Sequence, residues 1–568
     1  MNIIKKLFPF AVILILSYFS YKPLLSPGFF PIHDDTQVAR VYEMTQSLKD
    51  GMFPVRWVED LGYGYGYPIF NYYDPFPYYI GGFIGVLGVD ALLATKTVML
   101  LAILLSGFSM FFLARQFWGN LGAILASLFY VYAPYHAVDI YIRGDLAEFW
   151  AYGFIPLAFY GLWKVYKTPK FIYIAFTGVA YSLIIISHNL TAMMVSPFLL
   201  IFVLCLIFIQ RKSFKKLSLY LFSSLLLGII VSAFYWLPAI LEMQYTNVLS
   251  QIGGGADFRN HFVCLSQLWT SVWGYGGSAK GCADGVSFMI GKYHIILSFV
   301  LFTSALIFLL WKKNSKTIKK EKEKISVILF SFTGFLISAF LTLEVSKPIW
   351  EFFKPMEFFQ YPWRFLIMST FFASFISGSL LWFLYKFTTK LSPKYIWAVF
   401  TFLFITAVSL KFFTPQYILN KPASDFIDNY SLIWEVSRIS DEYMPKNFIR
   451  PKTYSEIKYL SSLQNSEIKI LDLQKKTQQI NITLNLTRES SLILPLAYFP
   501  AWKAYVDNRQ TQIIENEKGS LINIREGQHN LTLKFVETPI EFAANLTSLA
   551  GILALSLGII YTYRKKYE

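Results

Sequence analysis

Apolar runs of about 20 residues alternate with short polar loops along most of this chain. A helix needs about 20 apolar residues to cross a bilayer core about 30 Å thick, and its own hydrogen bonds satisfy its backbone inside lipid. The pattern therefore predicts about 12 transmembrane helices. The runs of suitable length lie at 3–21, 92–115, 120–139, 147–166, 171–187, 191–210, 217–241, 287–311, 325–343, 365–386, 395–413 and 540–563.

A shorter apolar stretch at 77–89 follows the first polar loop and contains Gly81, Gly82, Gly85 and Gly88. If this stretch crossed the membrane, the lysine-rich loops that follow it would lie on the wrong side. We therefore predict an interfacial or re-entrant helix at this position.

The segment 414–538 shows a different pattern. Ile480, Ile482, Leu484 and Leu486 alternate with polar residues, and a period of two is typical of strands with one buried face. Further strand-like pieces lie at 491–496, 503–506, 512–514, 520–524 and 529–535. These pieces predict a small antiparallel β domain of the sandwich type. The chain then divides into a transmembrane domain at 1–413, the β domain at 414–538, and a last helix with its tail at 539–568.

The composition excludes a soluble protein. Of the 568 residues, 55% are hydrophobic and 15% are charged, whereas soluble domains carry roughly 25% charged residues. The net charge of +16 comes largely from short loops at 164–170, 211–216, 312–324, 386–394 and 564–566. Loops rich in Lys and Arg stay in the cytoplasm. We therefore expect a multi-pass protein of the cell membrane with both termini in the cytoplasm and the β domain outside it.

The basic residues form no stripe with interleaved aromatic residues, so nucleic acid is not an expected partner. The three cysteines add little. Cys205 lies inside an apolar run, whereas Cys264 and Cys282 share a loop on the predicted outer side. A disulfide between these two is compatible with an oxidising compartment, but their spacing leaves it open.

Ionisable residues from several loops fall on the predicted outer side of the membrane. Single charges are common at a membrane boundary, but convergence from several loops predicts a functional site. The residues are His33, Asp34, Asp35, Arg40, Arg56, Glu59 and Asp60 in the first loop, 22–75; Arg143, Asp145 and Glu148 in YIRGDLAEFW; and His188, Glu357 and Arg364 in later turns.

His33, Asp34 and Asp35 are the candidates for catalysis. A carboxylate can take a proton from an acceptor hydroxyl, and guanidinium groups bind phosphate with two parallel hydrogen bonds. Since adjacent side chains point in different directions, we expect Asp34 to face the site and Asp35 to cap the helix that follows. A run of tyrosines is a candidate for stacking on a sugar or, equally, for an interfacial belt: Tyr63, Tyr65, Tyr67, Tyr72 and Tyr73.

Several motifs resemble those of the C-type glycosyltransferase (GT-C) superfamily of membrane proteins. They are the acidic pair after the first membrane helix, the segment PIFNYYDPFPYYIGGFIG, a helix ending in ARQFWGN, and SLFYVYAPYHAVDIYIRGDLAE. RGDLAEFWA and YPWRF resemble bacterial membrane proteins described as 6-pyruvoyl-tetrahydropterin synthase-related. LAYFPAWKAYVDNRQ and EGQHNLTLKF resemble the β domain of YfhO-like members. These short motifs are spread over most of the chain.

The resemblance implies a GT-C-like fold and a sugar donor linked to polyprenyl phosphate. The first-loop acidic residue of the family falls on Asp34 or Asp35. The second, which in relatives positions the acceptor or a metal, falls on Asp145 or Glu148. By position and chemistry, Arg143 and Arg364 are the candidates for the lipid phosphate.

The chain lacks a clean DxD motif, so the resemblance leaves the use of a metal open. Mg²⁺ or Mn²⁺ held by Asp34 and Asp145 is the candidate arrangement. The six histidines include no ligand-spaced trio, so a pterin-synthase zinc site is not expected.

The leading hypothesis is a glycosyltransferase that moves one sugar from a polyprenyl-phosphate donor to an acceptor outside the cytoplasm, in a single inverting displacement. The acceptor would be a glycan, a lipid or a protein, and membrane lipid surrounds the enzyme. The second hypothesis is a transporter or flippase of lipid-linked saccharides. Such proteins usually carry ionisable groups near the bilayer midplane and internal repeats, and the sequence shows neither. The third is a non-catalytic assembly protein of the cell envelope.

Overall fold

The structure is a computed structural model that describes residues 2–209, 214–311, 316–387 and 391–564. Parts of four of the basic clusters, at 210–213, 312–315, 388–390 and 565–568, lie outside the described residues.

Helices occupy all the positions at which the apolar runs predict spans. They are Asn2–Leu16, Ala91–Val131, Leu146–Lys167, Phe171–Ser187, Asn189–Ile209, Phe214–Val231, Ala233–Leu241, Lys292–Trp311, Lys316–Thr342, Leu366–Ser377, Ser379–Phe387, Leu391–Ser409 and Pro539–Arg564. Two further helices, Gln37–Lys49 and Phe76–Val86, belong to the region of the first loop. Shorter helical pieces include Tyr18–Tyr21, Ile69–Tyr72, Pro134–Val138, Asp139–Arg143, Leu265–Trp269, Lys347–Phe352 and Ser437–Ile439.

Eight of the described helices are long and apolar enough to cross a membrane, or nine if the bent pair Lys6–Leu16 and Tyr18–Leu25 forms one span. The sequence predicts about 12. Part of the difference is the 41-residue helix Ala91–Val131, which counts once although Gly119, with a φ of 72°, interrupts it between two predicted spans. Phe171–Ser187 has only 17 residues, and Leu146–Lys167 is rich in Trp and Tyr, which lowers its hydropathy.

The predicted interfacial or re-entrant segment is the 11-residue helix Phe76–Val86. At 1.5 Å per residue it is too short to cross a bilayer core. Its glycines allow close packing on the helix Gln37–Lys49. A Cβ at Gly85 would lie 2.3 Å from Thr45 Oγ1, and one at Gly82 would lie 2.6 Å from Met44 Cγ. The glycine pattern therefore reflects the close approach of two helices.

The β domain contains two antiparallel sheets. Its strands are β1 Ile468–Lys476, β2 Gln479–Leu486, β3 Ser490–Leu494, β4 Trp502–Val506, β5 Arg509–Thr511, β6 Ile514–Asn516, β7 Gly519–Ile524 and β8 Gly527–Phe535. The strand order is β1-β2-β8-β4-β5 in one sheet and β3-β7-β6 in the other.

The alternating residues of β2, from Ile480 to Leu486, are all buried, which confirms the predicted face. The sequence prediction missed β1, because most of its side chains are exposed and its charged residues hide the period of two.

The segment between the helix Leu391–Ser409 and β1 is mostly irregular and packs on the first loop. Phe29 and Leu419 exchange backbone hydrogen bonds of 2.9 and 2.6 Å. The Tyr63 hydroxyl donates to Asp441 Oδ2 at 2.9 Å. The hairpin between β1 and β2 reaches the same loop, because Thr477 donates to Asp50 Oδ2 through its backbone N–H at 2.7 Å and its hydroxyl at 2.9 Å.

Candidate functional site

The first loop is attached to the second acidic turn through the backbone. The N–H of His33 donates to the carbonyl oxygen of Ile142 at 2.9 Å, and the N–H of Asp34 donates to that of Arg143 at 3.0 Å. The turn is left-handed at Gly144, with a φ of 67°, and a Cβ there would lie 2.4 Å from Ile32 Cδ1. Glycine is therefore required both by the backbone conformation and by the approach of the first loop.

Arg143 is the centre of a buried ion-pair network. Its guanidinium nitrogens lie 2.6 Å from Asp139 Oδ1, 2.7 Å from Asp145 Oδ2 and 2.8 Å from Glu148 Oε2. The Tyr135 hydroxyl donates to the other oxygen of Glu148. Three carboxylates thus neutralise one guanidinium, and this network fixes the second acidic turn.

Asp145 caps the helix Leu146–Lys167, because its Oδ1 accepts the N–H of Glu148 at 3.0 Å. Burial opposes ionisation of this carboxyl, but Arg143, His188 and Arg364 lower its pKa to about 2. These cations therefore favour the ionised form of Asp145 in this site.

A cavity of about 760 Å³ lies beside this turn. Four of the predicted site residues line it: Asp34, Asp145, His188 and Arg364. Arg40, Asp74, Ser440, Glu442 and Tyr443 line it as well. Apolar side chains of the membrane helices form another part of its wall, among them Ile185, Met193, Ile229 and Ile240. The cavity therefore joins a charged region to an apolar region.

Asp34 faces this cavity. Burial and the negative charge of Asp145 raise the pKa of its carboxyl, against the opposing effect of Arg143, Arg40 and Arg364. A carboxylate with a raised pKa is a stronger base than an ordinary aspartate. This is the property that proton abstraction from a hydroxyl requires.

Arg364 reaches the same region from the turn Pro362–Phe365. Its Nε lies 3.7 Å from Glu148 Oε2, and its Nη1 donates to the Phe359 carbonyl oxygen and to Gln360 Oε1, both at 3.2 Å. It therefore presents a positive charge that is only loosely paired.

Asp145, Glu148 and His188 each offer one ligand atom within 4.8 Å of the others. Two carboxylates and an imidazole fit a divalent transition metal such as Mn²⁺. Nδ1 of His188 lies 2.7 Å from Thr191 Oγ1, which leaves Nε2 for a metal. Asp34, which the sequence suggests as a ligand, does not belong to this group. The guanidinium of Arg143 already contacts both carboxylates, so a metal would share their oxygen atoms with it.

Four predicted site residues do not line the cavity. His33 is exposed, and its Nε2 lies 2.9 Å from the Tyr275 carbonyl oxygen. Asp35 is exposed near Lys421 and Glu435. Arg56 is buried elsewhere and donates to Asn71 and Asn545, and Glu357 pairs with Lys354 at 3.4 Å.

Arg143 and Glu148 do not line the cavity either, since they are buried behind Asp145. The prediction that Asp35 caps the next helix is wrong. That helix is Gln37–Lys49, and Thr36 holds the N-cap position without a side-chain hydrogen bond. Of the five tyrosines, Tyr72 and Tyr73 line the cavity.

The sequence gives Arg40 no role and does not single out Asp74, Ser440, Glu442 or Tyr443. Asp74 accepts hydrogen bonds from the Asn189 backbone N–H and the Tyr235 hydroxyl, both at 2.8 Å. Its place inside the aromatic motif NYYDPFP is a signal that could have identified it. The residues of the segment before β1 reach the cavity only through tertiary packing, and we find no sequence signal for them.

The loop that carries Cys264 and Cys282 is closed by a disulfide between them, with the Cα atoms 5.5 Å apart. The sequence left this pairing open. Cys205 is a free cysteine.

Residues 70–252 match the family model described as 6-pyruvoyl-tetrahydropterin synthase related domain; membrane protein. This confirms the predicted resemblance over that stretch. This chain is a membrane protein. The matched stretch contains the second acidic turn, Asp74 and His188, but not the first-loop aspartates.

A relative from Lactococcus lactis subsp. cremoris (strain MG1363), described as an uncharacterized protein, is 26% identical over 216 residues. The matched residues make up 36% of this chain and 35% of the relative, so the chain spans about a third of that protein.

Three solved structures of glycosyltransferases show low similarity to the chain. The Archaeoglobus fulgidus oligosaccharyltransferase in the apo form gives a TM-score of 0.45 at 12% identity, covering 74% of this chain and 57% of that chain. The arabinofuranosyltransferase AftD from Mycobacteria gives 0.42 at 13% identity, covering 73% and 27%. ArnT from Cupriavidus metallidurans, bound to undecaprenyl phosphate, gives 0.30 at 10% identity, covering 66% and 76%.

Proposed function

We propose that this protein is a membrane glycosyltransferase that moves a sugar from a polyprenyl-phosphate donor to an acceptor hydroxyl. One observation carries the proposal. A carboxyl group with a raised pKa, Asp34, shares a cavity with the guanidinium of Arg364 and with an apolar wall of membrane helices. Such a cavity provides a base for the acceptor, a cation for a phosphate and a surface for a lipid chain.

The reaction is a single displacement that inverts the anomeric carbon. The acceptor oxygen attacks that carbon from the face opposite to the phosphate, and the bond between the carbon and the phosphate oxygen breaks. The leaving phosphate keeps the electron pair, and its negative charge is stabilised by Arg364. The proton of the acceptor hydroxyl passes to the carboxylate of Asp34.

Arg143 supports this chemistry indirectly. Because three carboxylates already hold its guanidinium, it is poorly suited to bind a phosphate as well. It keeps Asp145 in place and ionised beside Asp34. The charge of Asp145 in turn raises the pKa of the base.

A divalent metal, if the enzyme uses one, would be held by Asp145, Glu148 and His188. Its positive charge would stabilise the leaving phosphate. The residues derived above for proton transfer and phosphate binding do not depend on it.

The site is proposed to lie outside the cytoplasm, with both termini inside and a β domain at 414–538 next to the site. The disulfide between Cys264 and Cys282 supports this orientation, because disulfides persist in oxidising compartments. The identity of the acceptor, whether glycan, lipid or protein, is a question for the assay.

The test is sugar transfer by the purified protein in lipid vesicles. Polyprenyl-phosphate donors that carry different radiolabelled sugars are supplied with an envelope lipid extract, and the label is followed from donor to acceptor. Transfer by the native protein and its loss in Asp34→Asn supports the proposal. Movement of the intact labelled donor across the bilayer without transfer would instead identify a flippase.

A further inference from the structure

Five lysine or arginine side chains are buried among the described residues: Arg40, Arg56, Lys96, Arg143 and Arg364. A charge removed from water is costly unless a counter-charge or several hydrogen bonds compensate it. The contacts of these five cations therefore show which of them lacks a counter-charge or enough hydrogen bonds.

Each of four of them has either a carboxylate or two hydrogen-bond acceptors within reach. Arg143 pairs with three carboxylates, and Arg364 lies 3.7 Å from a carboxylate oxygen of Glu148. Arg56 donates to the side-chain oxygens of Asn71 and Asn545 at 3.0 and 2.8 Å. Lys96 donates to two backbone carbonyl oxygens. Neither Arg56 nor Lys96 lines the cavity.

Arg40 has less compensation and does line the cavity. Arg40 is 4% exposed, its Nη2 donates to Ser440 Oγ at 2.9 Å, and its guanidinium also contacts the Tyr78 hydroxyl. Its Nε, like that of Arg56 and Arg364, has no hydrogen-bond partner in the described part of the chain. The guanidinium carbon lies 4.0 Å from the centre of the Tyr73 ring. No carboxylate of the described residues forms an ion pair with it.

Asp34 and Glu442 line the same cavity as Arg40, and neither forms an ion pair with it among the described residues. Burial raises the pKa of both Asp34 and Glu442, and the charge of Arg40 only partly opposes this effect. The site therefore holds a buried cation in an aromatic environment, beside a cavity that the same residue helps to line. This is an arrangement that an anionic ligand would complete.

The cavity also indicates what the anion is attached to. Met193 and Ile240 line it and are 41% and 55% exposed, and they belong to the helices Asn189–Ile209 and Ala233–Leu241. The cavity is therefore open between two apolar helices, on a side where a membrane protein meets lipid. A ligand with a charged head and an apolar chain matches both regions.

We propose that Arg40 binds the phosphate group of a phosphate ester whose apolar chain enters the cavity between these two helices. This inference rests on the proposed function for the identity of the donor. It adds a second guanidinium to that of Arg364, which lines the same cavity, so that both cations contact one phosphate. It assigns to Arg40 the role in phosphate binding that the sequence suggests for Arg143.

The test is binding of defined probes to the purified full-length protein, followed by native mass spectrometry. The probes are a polyprenyl monophosphate, the uncharged polyprenol of the same length, and inorganic phosphate. Arg40→Gln should weaken binding of the polyprenyl monophosphate about 30-fold or more, because one partner of a buried charge pair is lost. Binding of the polyprenol should not change. Arg40→Lys should fall in between, because lysine keeps the charge and loses the two-pronged geometry.

Melting temperature separates binding from a structural role. If the buried charge of Arg40 lacks a counter-charge in the free protein, Arg40→Gln without ligand should melt at the same temperature as the native protein or higher. The polyprenyl monophosphate should no longer raise the melting temperature of this variant. The matched control is Arg56→Gln. It removes a buried arginine that does not line the cavity and whose Nη1 and Nη2 donate to Asn71 and Asn545, and it should melt lower yet still respond to the polyprenyl monophosphate.

Unchanged binding of the polyprenyl monophosphate to Arg40→Gln would overturn the inference and leave the glycosyltransferase proposal intact. A large fall in melting temperature for Arg40→Gln would also overturn it, since Arg40 would then be structural. If inorganic phosphate binds through Arg40 and the polyprenyl monophosphate does not bind, the result supports an anion site at Arg40. It contradicts the binding of a lipid chain in the cavity and the proposed polyprenyl-phosphate donor.

Discussion

Arg40 donates a hydrogen bond of 2.9 Å to Ser440, a residue 400 positions later in the chain. The bond joins the helix Gln37–Lys49 to the segment between the helix Leu391–Ser409 and β1. Both residues line the same cavity. The segment before β1 is therefore connected to the candidate site through side chains.

Asp34 and Asp35 should differ sharply in function. Asp34→Asn is expected to lower the rate of sugar transfer about 100-fold or more, because it removes the general base. Asp35→Asn is the matched control and should change the rate only slightly, since this side chain is exposed and outside the cavity. Both variants should melt within a few degrees of the native protein. Full transfer by Asp34→Asn would eliminate the proposed base.

The pH profile of transfer should report on Asp34. Its pKa is raised above the ordinary value of 3.8, and the base works only when it is ionised. The rate should therefore fall as the pH is lowered, with a midpoint above 3.8. Arg364→Gln removes a cation that lowers this pKa, so the midpoint should move to higher pH. A midpoint that does not move in this variant would argue against an interaction between the two residues.

Arg143 should be essential for stability. Arg143→Met leaves Asp139, Asp145 and Glu148 buried without their cation, which is expected to lower the free energy of unfolding by about 3–5 kcal/mol. Arg259→Met is the control, because Arg259 is exposed and pairs with Asp257 at 3.3 Å. Loss of an exposed pair costs less than about 1 kcal/mol. Thermal or denaturant unfolding in detergent measures both, and equal effects would contradict the network as described.

Glu242 should make stability depend on pH. Burial raises its pKa from 4.5 to about 7, and its Oε1 accepts a hydrogen bond from the Thr538 hydroxyl at 2.5 Å. Because the folded-state pKa is higher than the unfolded one, the stabilisation is complete below about pH 4.5 and is lost as the pH rises through about 7. Glu242→Gln cannot ionise. The native melting temperature should therefore fall below that of the variant as the pH rises, and curves that stay parallel from pH 4 to 8 would exclude this role.

The cysteine pairing should be visible in protein isolated from cells. Peptide mapping without reduction should recover Cys264 and Cys282 in one linked peptide and Cys205 as a free thiol. Replacing both linked cysteines by serine should destabilise the protein by about 3 kcal/mol, the value that loop closure over 18 residues gives in the chain-entropy model. Cys205→Ser is the control. Recovery of three free thiols would count against the proposed outer position of this loop.

The sequence predicted the elements well, since each one follows from a local pattern. The apolar runs located the membrane helices, and the strand-like pieces located β2, β3, β4, β7 and β8, whereas β5 was missed and the piece at 512–514 overlaps β6 only at Ile514. The errors in predicting the elements also arose from local sequence patterns. Asp35 was assigned a cap that Thr36 holds, and β1 was missed because its exposed, charged face conceals the alternation.

The candidate site was predicted only in part. Motif and position led to Asp34, Asp145, His188 and Arg364, which line the cavity, and also to His33, Asp35, Arg56 and Glu357, which do not. Sequence could not separate the two groups, because an ionisable residue in an outer loop looks the same whether its side chain faces a cavity or the solvent.

Hydrophobic periodicity by itself determined that this chain is a helical membrane protein with a β domain before its last helix, because the bilayer and the pleated strand each impose a fixed spacing on apolar residues. The tertiary structure decided which charges compensate one another. Arg143 forms ion pairs with three carboxylates, whereas Arg40 lines the cavity and forms an ion pair with no carboxylate of the described residues. Their difference arises because Coulomb interactions depend on distances between side chains that only the folded chain brings together.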